Sequence, residues 1–108
     1  MKGSTMKVLA AGLIAGAMLS SGSVLAADGA ALYKSKTCIA CHGVDGKAPI
    51  LPTYPKVAGQ NEQYLVAQMN DIKSGKRSNG QSAAMKGVMH LVSDAEIAAI
   101  AKWLAGIK

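Results

Sequence analysis

Hydrophobic positions along the chain fall into two regimes. Residues 8–19 form an uncharged run of Val, Leu, Ile, Met, Ala and Gly, whereas beyond Ala27 apolar residues recur among polar ones. Leu65, Met69 and Ile72 share the spacing of one helix face, so a helix is predicted from near Asn61 to Gly75, with Tyr64 and Gln68 flanking its stripe. Ile97, Ile100, Ala101 and Leu104 repeat that pattern. They follow Ser93-Asp94-Ala95-Glu96, a capping box in which the Ser93 hydroxyl accepts from a first-turn amide while Glu96 reaches back. Gly106 suits the close of that last helix. Asp28 is placed as the N-cap of a first helix running through Leu32 and Tyr33 toward Cys38. Gly46, Pro49, Pro52 and Pro55 make residues 43–59 an extended loop, and residues 78–82 a second one, leading into 83–92. No strand alternation and no repeat is visible. The prediction is an all-α domain of about three main helices plus loops.

The opening segment reads differently. Lys2 and Lys7 precede the apolar run, Ser20, Ser21, Gly22 and Ser23 follow it, and Val24 and Ala26 occupy the −3 and −1 positions of a cleavage site. This is the layout of a secretory signal peptide, 1–26, removed after Ala26, with Ala27 the neighbouring choice. The alternative is an uncleaved anchor, since no charge occurs between Val8 and Ala27, but the glycines and serines weaken such a span. Export to the periplasm leaves residues 27–108 as the working domain. Losing Lys2 and Lys7 lowers the formal charge from +6 to +4. The remaining cations are scattered and lack interleaved aromatics, which argues against nucleic acid as a partner.

At 108 residues the chain holds three Tyr, one Trp and no Phe. A domain this small with so few large rings has difficulty burying enough apolar surface by itself. Something other than side chains is expected inside.

The two cysteines supply the candidate. Cys38-Ile39-Ala40-Cys41-His42 is C-x-x-C-H, the attachment signature of c-type haem. Cysteines three apart lie within one helical turn, so both sulfurs can reach the vinyl groups on one porphyrin edge. The following residue then presents its imidazole to the iron from the same side. A thioredoxin-type pair needs a βαβ context that is missing. A disulfide between residues three apart closes too small a loop to stabilise much. A zinc site built from Cys38, Cys41, His42 and His90 suffers from the adjacency of Cys41 and His42. For the second axial face the candidates are Met69, Met85, Met89 and His90. Met69 lies on the core stripe of its helix. Met85 follows a flexible loop and precedes Lys86-Gly87, and Met89, one turn later, is its closest rival.

The chain resembles the small, soluble, monohaem class I cytochromes c of bacteria (the c-553 type), and also one half of the dihaem bacterial cytochromes. The likeness rests on Gly29-Ala30-Ala31-Leu32-Tyr33, the run from Cys38 to Gly46, and Tyr54-Pro55-Lys56-Val57-Ala58-Gly59-Gln60. It continues through Tyr64-Leu65, residues 71–75, Met85-Lys86-Gly87-Val88-Met89 and Val92-Ser93-Asp94 through Trp103. That resemblance implies one covalent haem c held by Cys38 and Cys41, with His42 as proximal and Met85 as distal iron ligand. It implies that the Pro55 carbonyl accepts from the His42 ring, and that Gly29, or Ala30 as the alternative, lets the first helix approach the last near Trp103.

The function expected is one-electron transfer in the periplasm between redox proteins, with no catalytic residue. A soft thioether favours ferrous iron, and two protein ligands leave no vacant position for oxygen. The alternative is a dedicated subunit or redox module of a periplasmic dehydrogenase or oxidase complex. A monomer is expected, meeting the membrane only through partner complexes unless the signal stays attached. Lys47, Lys56 and Lys86 are placed near the haem as steering charges for an acidic partner. Arg77 and Asn79 are candidate contacts to a haem propionate, or parts of a solvated loop.

Overall fold

A computed structural model describes residues 28–108. The predicted signal peptide, 1–26, lies outside the described residues. Five helices follow in order: α1 (Gly29–Ser35), α2 (Cys38–His42), α3 (Glu62–Ser74), α4 (Ser82–Met89) and α5 (Asp94–Ala105). Among the described residues there is no strand.

Local capping sets most of the boundaries. Asp28 Oδ1 accepts from the amides of Ala30 and Ala31 at 3.0 and 3.3 Å. Asn61 Oδ1 accepts from Tyr64 N at 2.9 Å, and α3 ends at Gly75 in a left-handed conformation. Both halves of the Ser93/Glu96 capping box form, at 3.2 and 2.9 Å. The segment expected over 83–92 is helical from Ser82 to Met89. Beyond it, Leu91 and Val92 continue only as turns onto the Val88 and Met89 carbonyls.

The first helix departs from expectation. It stops at Ser35, and Thr37 takes φ 66, the one left-handed non-glycine among the described residues. A β-branched residue there is uncommon. On one continuous helix Tyr33 and His42, nine residues apart, would point to opposite sides, and Gly43 would lie about 15 Å along the axis from Tyr33. The break folds the second segment back, so that the Tyr33 hydroxyl donates to the Gly43 carbonyl at 2.6 Å.

The core is built from Tyr33, Leu65, Met69, Ile72, Met89, Val92, Ile97, Ile100, Ala101 and Leu104. Here α5 is central, packing against both α1 and α3, while α4 packs on α3. Gly29 decides how closely α1 meets α5. A Cβ at this position would lie 2.3 Å from the Ala99 carbonyl oxygen and 2.6 Å from Trp103 Cβ, so Gly29 is the contact residue. Nearby, the Tyr33 and Trp103 rings pack tilted, with centroids 5.1 Å apart. The long loop is anchored from within, as Gly46 O accepts from Val57 N and Ala58 N, and Leu104 O from Gly59 N. It therefore lies over α5 and carries Pro55 back to α2.

Candidate haem site

The short helix α2 and the more distant α4 face one cavity of about 360 Å³. That volume falls in the range of roughly 300–1,000 Å³ usual for small-molecule and cofactor sites. Cys38, Cys41 and His42 border it from α2, Pro55 from the loop and Met85 from α4. The floor is apolar: Leu65, Ile72, Ile100 and Leu104.

His42 is buried, and its Nδ1 lies 2.9 Å from the Pro55 carbonyl oxygen. A carbonyl can only accept, so Nδ1 carries the proton and donates, leaving the Nε2 lone pair available to a metal. The ring of Tyr54 stands 6.4 Å from that of His42, centroid to centroid.

The distal candidates separate by burial. Met69 and Met89 border the cavity, but both belong to the buried core, at 7% and 2% exposure. Met85 borders it while only half-buried, packed on the edge of that core. His90 is exposed and is not among the residues that border the cavity. The four-residue zinc set weighed from sequence is not assembled: among the described residues no group of three or more His, Cys, Asp or Glu is gathered to hold a metal ion.

Burial also shapes the protonation of the wall. The Tyr33 hydroxyl is pushed up to about 12, by desolvation first and then by negative charge at Cys38 and Asp45. It therefore remains a donor to Gly43 at any working pH. Burial likewise pushes the Cys38 thiol above its usual range, with Cys41 adding to the effect.

The three lysines expected around the site divide. Lys56 borders the cavity. Lys47 does not, but joins Lys56 and Lys108 around a second depression of about 320 Å³. Lys86 borders neither; its ammonium lies beside Gly75 at the end of α3. Two features had no sequence signal of their own. The Tyr33–Gly43 bond depends on the break at Thr37, and Gln68, taken only as a flank of the α3 stripe, borders the cavity and bonds Arg77.

This donor set suits a covalently attached tetrapyrrole. Two thiols and an imidazole lie on one turn, a thioether stands on a separate helix, and apolar side chains line the space between. Helices without strands around such a Cys-x-x-Cys-His cavity define a class I cytochrome c.

The comparisons with known proteins agree. The family model for cytochrome c matches residues 26–108. Cytochrome c4 of Pseudomonas aeruginosa is 47% identical over 75 residues, covering 69% of this chain and 35% of that protein. Cytochrome c-554(548) of Halomonas halodenitrificans is 39% identical over 70 residues, covering 65% of this chain and 83% of the relative. Among solved structures, reduced recombinant cytochrome c4 from Pseudomonas stutzeri aligns with a TM-score of 0.59 at 32% identity, over 66% of this chain and 38% of that one. The chain thus spans little more than a third of the cytochrome c4 relatives it matches. It belongs to the cytochrome c family. That family binds haem c covalently and transfers electrons, and Cys38, Cys41 and His42 fit its attachment motif.

Proposed function

We propose that the chain is a periplasmic one-electron carrier in which Cys38 and Cys41 hold a single haem c through thioether bonds, while His42 and Met85 ligate its iron from opposite faces. The observation carrying this reading is that one apolar cavity is bordered by all four residues, although Met85 lies more than forty positions from the other three. The bound iron supplies the one-electron exchange between ferric and ferrous states.

The chain's own residues set the conditions for that exchange. Pro55 holds the imidazole in one tautomer and one plane. The Met85 thioether favours the ferrous state and raises the potential above that of a bis-imidazole site. His42 and Met85 together would leave the iron no position open to oxygen or peroxide. The buried floor of α3 and α5 gives a low-dielectric, rigid surround.

Docking is assigned to the side of the cavity where Lys56 stands, next to Lys47 and Lys108. That cluster suits an acidic redox partner approached by electrostatic steering. Among the described residues no helix is long and apolar enough to cross a membrane, and contact with the membrane is assigned to partner complexes.

Expression of the full chain alongside cytochrome maturation machinery tests the reading. The expected product is red, keeps its haem through denaturation, and shows the methionine-to-iron charge-transfer band when ferric. Met85→Ala abolishes that band, whereas Met89→Leu and His90→Ala retain it. A colourless product, or a band that survives Met85→Ala, overturns the assignment.

A further inference from the structure

One buried hydroxyl at the cavity wall is left without a partner. Ser82 opens α4, is only 6% exposed, and borders the cavity. The other serines in or capping helices engage the backbone. Ser35 donates to Leu32 O at 3.4 Å and Ser74 to Asp71 O at 3.2 Å, while Ser93 accepts from Glu96 N at 3.2 Å. Ser82 bonds through its amide, to Asn79 O at 3.1 Å, and its hydroxyl has no hydrogen bond among the described residues. No polar side-chain atom among those residues is sealed off unbonded, so the Ser82 oxygen keeps its opening onto the cavity. A buried hydroxyl without a partner is costly, and native structures rarely keep one.

Its place on the helix says what it faces. Residues three apart share a helix face, and helical side chains lean toward the N-terminus, over the preceding turn. Met85 lies three residues beyond Ser82, so its side chain leans back over Ser82, and both border the cavity. Met89 is nearly two turns away along the same face and sits in the core at 2% exposure. Among the described residues no Asp or Glu borders the cavity to compete for the hydroxyl.

We propose that the Ser82 hydroxyl donates a hydrogen bond to the Met85 sulfur when that sulfur ligates the iron, and so tunes the reduction potential from the first turn of α4. This rests on the haem reading above and makes Ser82 a positioning residue. A thioether sulfur is a weak acceptor with two lone pairs; with one directed at the metal, the other is free to accept. Drawing density from the sulfur weakens its donation, which ferric iron needs more than ferrous iron does. The bond therefore raises the potential, and it fixes which lone pair faces the metal.

The test compares holoprotein carrying Ser82→Ala or Ser82→Thr with the unsubstituted chain. Spectroelectrochemistry reads the potential, ferric absorbance reads the methionine-to-iron charge-transfer band, and resonance Raman reads the propionate bending mode. Ser82→Ala is expected to retain the band but shift it, and to lower the potential, with the propionate mode unmoved. Ser82→Thr keeps the donor and is expected to hold potential and band close to those of the unsubstituted chain. A Ser82→Ala protein with potential and band unmoved overturns the proposal, even if its melting temperature falls, since a purely structural serine gives that result. A propionate mode that moves while the band does not assigns the hydroxyl to the cofactor's edge and overturns it too. So does a Ser82→Thr protein that matches Ser82→Ala. An unsubstituted holoprotein lacking the charge-transfer band is a different failure: it overturns the Met85 ligation on which the proposal rests.

Discussion

Replacing Gly29 by alanine tests the packing that places the site. The added Cβ falls 2.3 Å from the Ala99 carbonyl oxygen, 2.6 Å from Trp103 Cβ and 3.0 Å from the Ala99 carbonyl carbon, where ordinary contact is 3.4–4 Å. Two of these three atoms belong to the α5 backbone, which cannot turn aside as a flexible side-chain end can. The helices must separate by about 1 Å, and overpacking of this kind costs roughly 1–3 kcal/mol or more. Helix propensity pulls the other way, since alanine is preferred to glycine by about 0.8–1.0 kcal/mol in a helix interior. With about 2 kcal/mol for overpacking, overpacking wins, leaving a net loss of about 1 kcal/mol. For a domain of this size that is a fall of roughly 4–8 °C in melting temperature. Gly87→Ala is the matched control: it lies within α4, and a Cβ there meets nothing within 4 Å. It should gain up to about 1 kcal/mol. Thermal melts of the two holoproteins, read by far-UV circular dichroism, check both signs. A Gly29→Ala protein as stable as the unsubstituted chain, or as stable as Gly87→Ala, refutes the close approach of α1 and α5.

Other outcomes follow from the same geometry. Withholding haem leaves the solvent-open cavity of about 360 Å³ without the apolar group that would fill it, and a domain this small has little other core to spare. A Cys38→Ala/Cys41→Ala chain made without haem should therefore show little cooperative unfolding, and a sharp transition in it would contradict the cavity's part in the core. Acid should weaken the cap of α5. The Glu96 carboxyl is held below its ordinary range, first by the Ser93 amide it accepts from and then by Lys36. Its contribution is full above the usual Glu range and is lost as pH falls through its own lowered pKa, because the unfolded chain takes up the proton first. Glu96→Gln should flatten stability against pH between those limits, as read by urea midpoints. Lys47→Glu/Lys56→Glu should slow reduction of hexacyanoferrate(III) about tenfold at low ionic strength and remove its salt dependence. Equal rates for the two proteins would show that electrons leave by another face.

Much of the fold was legible because its signals are local. The capping box of α5 needs only residues three apart, and both of its bonds form. The apolar stripe of α3 is buried as its spacing predicts, with Leu65, Met69 and Ile72 all in the core. Tyr64, on the flank of that stripe, is 51% exposed. The first helix was less legible. Nothing in Lys36-Thr37 marks a helix stop, and the left-handed Thr37 makes sense only once Tyr33 and His42 must border the same cavity. Met85 and Met89 are similarly indistinguishable along the chain. They stand one turn apart on one face of α4, and only packing against α3 sends Met89 into the core while leaving Met85 at its edge.

By itself the sequence determined the attachment motif and the capped ends of α3 and α5, since a thiol pair, its neighbouring imidazole and a capping side chain act over a few residues. Tertiary structure decided which of the sulfurs bordering the cavity stays out of the buried core, that the Pro55 carbonyl reaches the His42 ring, and that Arg77 stands at the same wall without a charged partner. Those relations join positions more than ten residues apart. They are set by how closely α1, α3 and α4 can pack around α5, a property of summed shapes and volumes that no short stretch of the chain contains.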